Sequence, residues 1–190
     1  MLRSAWPAQM LSSVRFRPKA DLIWWENLKG AGNAAVVLRA SESGDSVNSW
    51  DRLKVIEKVT SAADELGASN PQQRRQLIFS CGNAPEREAY FGLMSFFYDS
   101  RLQENHYERQ KLAAAILLDV APSSSLALEA SVYASAQHWN LSVSELPSYW
   151  CKVFGRADVV AFLEELIGSC SEARLKRSVE TMLYWARRFV

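Results

Sequence analysis

Histidine is nearly absent from this chain: two residues in 190, His106 and His138. Neither falls in a Glu-x-x-His or His-Glu-x-x-His spacing, so the di-iron and zinc-protease sites that those spacings build lack their ligands. Cysteine is scarce as well. Cys81, Cys151 and Cys170 are odd in number, widely spaced and form no Cys-x-x-Cys pair. That argues against a disulfide framework or a zinc knuckle, and for small buried side chains in a reducing compartment. No apolar run approaches the ~20 residues that span a bilayer, and the first residues lack the continuous apolar stretch of a secretory signal. Charge bias is missing too. A formal net charge of +1 excludes a wholly electrostatic attachment to polyanions or membranes, although not a local basic patch. The expectation is a cytoplasmic protein with no cofactor, no metal site and no membrane attachment.

Catalytic constellations are equally thin. Gly30-Ala31-Gly32-Asn33 lacks the third glycine and the preceding strand of a phosphate loop, and reads as a helix-ending turn. His106 lies between Glu104 and Glu108, the pattern of a solvated helix start. His138 precedes Trp139 at an expected helix end, where a cation suits the dipole. Only Cys151 with His138 could form a thiol–imidazole pair, and nothing local in the sequence supports it.

What is abundant is helical patterning, with 48% hydrophobic and 23% charged residues, proportions that suit one well-filled soluble domain. Residues 1–20 stand apart: Arg3, Arg15, Arg17 and Lys19 occur with several serines and no acid. This composition fits a transit peptide. Alternatively, Ser13-Val14-Arg15-Phe16-Arg17-Pro18 can be encoded by a stretch containing GTTCGATTCCG, which resembles the T-arm of a tRNA gene, and the segment is then a leader without activity. Residues 21–48 read as a short helix from Asp21 to Gly30 plus a linker. Residues 49–190 read as the helical domain.

In that domain the spacing predicts eight helices joined by loops of two to five residues. Ser49 caps the first, with Leu53, Ile56, Val59, Ala63 and Leu66 as its apolar face and Gly67 as its stop. Asn70-Pro71 opens the second. Asn83 to Glu86 has capping-box spacing before a third helix whose Tyr90 to Tyr98 are apolar nearly all round, so this helix is expected at the centre. A fourth starts near Gln103 and must end before Pro122. Ser124 or Ser125 caps the fifth. A sixth starts at Ser144, because an earlier start puts Pro147 against a helical carbonyl. Two more follow, from about Ala157 to Gly168 and from beyond Ser171. The fold class is all-α: a multi-helix bundle or an irregular array of antiparallel helical hairpins, with no repeat at 30 to 45 residues to favour a solenoid.

One surface is patterned beyond packing needs. On the last helix Leu175, Val179, Met182, Ala186 and Phe189 form a core stripe, while Arg174, Arg177, Thr181, Trp185 and Arg188 share the other face. Arginine and tryptophan are typical of interface hot spots and also suit phosphate contact and base stacking. The plainer reading is a cationic last turn with Trp185 packed inward. Trp24 and Trp25 form a second candidate patch. The leading expectation is a non-enzymatic bacterial interaction module of the immunity, adaptor or regulator kind, binding another protein or a second copy of itself. A nucleic-acid-associated factor using the last helix comes next, and an enzyme with a cryptic site around Cys151 and His138 third.

Overall fold

Asp51 sets the start of the first helix, its carboxylate accepting the Lys54 backbone N–H at 2.8 Å. The structure, a computed structural model, describes residues 50–102 and 104–190. Residues 1–20, the expected helix at 21–30 with Trp24 and Trp25, the linker, Ser49 and Gln103 all lie outside the described residues. The described residues belong to one unit, Asp45–Val190.

The fold is all-α. Among the described residues eight α-helices run in order: α1 Arg52–Leu66, α2 Pro71–Gly82, α3 Glu86–Tyr98, α4 His106–Val120, α5 Leu128–Ala136, α6 Glu145–Phe154, α7 Arg156–Ser169 and α8 Ala173–Ala186. A 3-10 turn, Ser100–Leu102, precedes α4, and there is no strand among the described residues. Local chemistry sets several of the boundaries. The Asn70 side chain accepts from Gln72 and Gln73 N–H with Pro71 in the first turn of α2. Gly67 and Gly155 take positive φ, 71° and 90°, to end α1 and α6. Ser144 precedes α6, so Pro147 falls in the first turn, where it removes no helical hydrogen bond.

Several expected caps are replaced. Asn83 and Glu86 do not form a capping box: Pro85 occupies the N-cap of α3, Asn83 Nδ2 donates back to Phe79 O, and Glu86 reaches elsewhere. Neither Ser124 nor Ser125 caps α5, which starts after Ala127, since the Ser124 hydroxyl donates to Leu126 O. The connections at 121–127 and 137–144 are longer than expected.

Packing proceeds along the chain. The strongest helix pairs lie at most three positions apart: α4 packs on α1, α2, α3 and α6, while α6 packs on α4, α7 and α8, and α5 bridges α3 and α8. The core runs through α3, where nine consecutive residues, Ala89 to Phe97, are buried. Tyr149 and Trp150 of α6 are fully buried as well, and the centre lies where the apolar circumference of Tyr90 to Tyr98 places it. Burying these aromatics is strongly favourable, each removing on the order of 150–250 Å² from water.

The apolar face of α1 differs from expectation. Val55, Val59, Ala62 and Ala63 are buried, while Leu53 is 74% exposed and Leu66 49%. The cause sits on α3. A Cβ added at Gly92 would lie 2.7 Å from Val55 Cβ and 3.2 Å from the Arg52 carbonyl oxygen. The missing side chain lets the two helices close at Val55, and that contact turns Leu53 outward. Glycine inside a helix costs about 1 kcal/mol relative to alanine, so Gly92→Ala would stabilise if only propensity mattered. Overpacking costs about 1–3 kcal/mol. Gly92→Ala is therefore expected to lower the urea midpoint, and a raised midpoint would contradict the close approach.

Candidate functional site

A connection between helices needs partners for its backbone groups, because buried N–H and C=O groups without them are costly. The α5–α6 connection obtains them from two helices at once. From α4, the buried Gln110 donates Nε2–H to His138 O at 2.8 Å and to Phe96 O at 2.9 Å, and its Oε1 accepts the Asn140 N–H at 2.8 Å. From α8, Ser178 donates to Ala136 O at 2.9 Å, Arg174 to Gln137 O at 2.6 Å, and the Trp185 indole N–H to Leu141 O at 3.0 Å. Within the connection, Trp139 donates to Val143 O and the Asn140 side chain accepts the Ser142 N–H. That bond points Asn140 Nδ2 at His106 Nε2, 3.2 Å away.

This arrangement divides the expected surface on α8. Leu175, Val179, Met182, Ala186 and Phe189 do face the core, joined by Leu183 and Ser178. Arg174 and Trp185 border that buried stripe, close enough to reach the α5–α6 connection, and both are engaged there. Arg177, Thr181 and Arg188 lie farther round. Thr181 donates to Arg177 O one turn back, and Arg177 is exposed with no ion-pair partner among the described residues. Arg188 lies over the ring of Tyr184, its guanidinium carbon 3.6 Å from the centroid, and also donates to Tyr184 O. Tyr184 meets Trp185 edge-on at 5.0 Å between centroids. Tyr184, 46% exposed, is the ridge member that the arginine–tryptophan pattern did not single out. Its position one turn before Arg188 was the available signal.

The first turns of α4 hold α1 as well. Arg109 grips Asp64 with two bonds of 2.8 and 2.5 Å, Asn105 adds a third, and Glu108 accepts the Ala68 N–H at 2.7 Å. The guanidinium of Arg109 beside Asp64 holds its carboxyl below the usual carboxylate range.

Cys151 and His138 show no nucleophile geometry. Cys151 is buried and burial pushes its thiol up to about 11, its nearest acceptor being Ala186 O at 3.9 Å. Such a thiol is protonated at neutral pH and weakly nucleophilic. Cys81, pushed up to about 12 by burial, lines a recess of about 180 Å³ between the ends of α2, α3 and α4. The carboxylate at that recess, Glu86, already accepts the Ser123 N–H at 2.7 Å. Among the described residues no group of three or more His, Cys, Asp or Glu is placed to hold a metal ion, and no helix is long and apolar enough to cross a membrane. The chain matches no family model, no curated protein and no solved structure.

Two outcomes follow from the grip of α4. Gln110→Leu keeps the bulk but removes three buried hydrogen bonds, and is expected to cost about 1.5–4 kcal/mol in chemical denaturation at about 0.5–1.5 kcal/mol each. A loss under about 1 kcal/mol would contradict the role. For Asp64, the folded carboxyl titrates below its unfolded value near 3.9. Its contribution is thus present above that value and is lost as pH falls through the folded one. Asp64→Asn should lower stability at pH 7 and flatten the decline between about pH 5 and pH 2. An unchanged slope there would show that Asp64 carries none of the decline.

Proposed function

We propose that this protein is a non-enzymatic interaction module that docks another protein on the outward ridge of α8, formed by Arg177, Thr181, Tyr184 and Arg188. One observation carries the reading. Arg188 lies over the exposed Tyr184 ring, its guanidinium carbon 3.6 Å from the centroid, a cationic–aromatic pair at the surface. Such pairs lose little side-chain freedom on binding, and arginine and tyrosine dominate interface hot spots. Arg174 and Trp185 flank the ridge as fixed neighbours, anchored to the α5–α6 connection. An adaptor, a regulator and a toxin-neutralising role all use such a face.

The reading sets the protein in a reducing compartment such as the cytoplasm. Support comes from three free cysteines, two of them buried thiols. A bacterial source belongs to the same proposal.

The test separates the docking ridge from its supports. Tyr184→Ala with Arg188→Ala changes only exposed groups and is expected to shift stability by no more than about 0.5 kcal/mol. The same variant should lose a partner that co-purifies with the unaltered chain. Trp185→Ala removes half-buried packing and leaves Leu141 O without its donor, so a loss of about 2 kcal/mol or more is expected. Undiminished partner recovery by the Tyr184/Arg188 variant would overturn the assignment.

A further inference from the structure

We infer that the element docking on the α8 ridge is a short acidic segment of a partner protein, with carboxylates over Arg177 and Arg188 and an apolar side chain on Tyr184 between them. This rests on the docking reading above and adds the chemistry of the occupant.

Charge complementarity carries it. Residues 173–190 contain Arg174, Lys176, Arg177, Arg187 and Arg188 against one acid, Glu180. The rest of the described domain has the opposite balance, with sixteen acidic and eleven basic side chains in residues 50–172. The chain's near-neutral total therefore conceals a basic helix on an acidic body. Part of the basic charge is engaged within the fold, since Arg174 holds Gln137 O and Arg187 pairs with Glu164 at 2.6 Å. Lys176 and Arg177 have no acidic partner among the described residues, and Arg188 is stacked rather than paired.

Geometry limits the length of the occupant. Arg188 follows the last turn of α8 and its guanidinium lies over Tyr184, seven residues after Arg177, so the two charges are about two turns apart, roughly 10 Å at 1.5 Å per residue. At physiological salt, charges interact over about 8 Å. A segment spanning only the ridge meets the arginines and little else. The net acidity of the rest of the described domain disfavours a long polyanion that extends beyond the ridge. Guanidinium groups pair with carboxylates through two parallel hydrogen bonds, which fixes orientation as well as charge. Tyr184, with Arg188 over one face of its ring, is still 46% exposed and offers the remaining apolar area to the side chain in the middle.

The experiment uses the full chain and fluorescence anisotropy at physiological ionic strength. The probes are a labelled peptide of about ten residues with glutamates at both ends and a central leucine, the same peptide with glutamine for glutamate, and a labelled oligothymidylate of similar length. The acidic peptide should bind, and at least tenfold more tightly than its glutamine counterpart, a difference of about 1.4 kcal/mol. Arg177→Gln with Arg188→Gln should remove that preference at unchanged melting temperature, whereas Arg75→Gln, an exposed cation on α2, should leave it intact. Equal binding of the glutamine peptide, or no peptide binding, overturns the acidic segment. In that case partner recovery with the Tyr184 and Arg188 variants still judges the docking reading separately. Tighter binding of the oligothymidylate than of the acidic peptide also overturns it and assigns the ridge to nucleic acid.

Discussion

The α5–α6 connection depends on being hydrogen-bonded from α4 and α8 together. Ala136, Gln137, His138 and Leu141 each give their carbonyl to a side chain from one of these two helices. Gln110 is the centre of that arrangement: one buried carboxamide joins the last turn of α3 to the connection through three bonds. The same stretch of α4 holds Asp64 and Ala68 at the end of α1. A few consecutive residues of α4 therefore hold both the end of α1 and the α5–α6 connection, and the inner border of α8, which packs on α6 and α7, completes that connection. Polar networks of this kind specify a single arrangement when every member is satisfied.

Other charged side chains close helix ends that belong to their neighbours. Lys152 donates to Leu118 O at the end of α4 and Arg156 to Arg187 O at the end of α8, while Glu88 accepts the first N–H of α1. Cations at carboxyl ends and acids at amino ends are the favourable pairings for the helix dipole. These side chains serve the fold, whereas the outward ridge of α8 is not engaged by a neighbouring helix. It retains Arg177, a stacked Arg188 and the exposed Tyr184, with no structural connection to hold.

Much of the helix order was legible because periodicity and punctuation are local. Gly67, Asn70-Pro71, Pro122, Ser144 before Pro147, and Gly155 each act within a few residues, and the helices begin or end beside them. The buried run of α3 was legible for the same reason. What could not be read were choices made between distant segments. Nothing near Leu53 says that Gly92, far along the chain, turns it outward. Nothing near Glu86 says that Ser123 N–H outcompetes its own helix start. The ridge shows both kinds: its helical spacing was readable, but the assignment of Trp185 to Leu141 O and the exposure of Tyr184 required the neighbouring connection.

The division of α8 into a supporting border and a free ridge is tested most directly by amide hydrogen exchange across residues 137–144. Gln110→Leu and Trp185→Ala are expected to accelerate exchange throughout that connection, while Tyr184→Ala with Arg188→Ala leaves its protection unchanged. Protection that survives the first two variants, or that is lost in the third, would contradict the account.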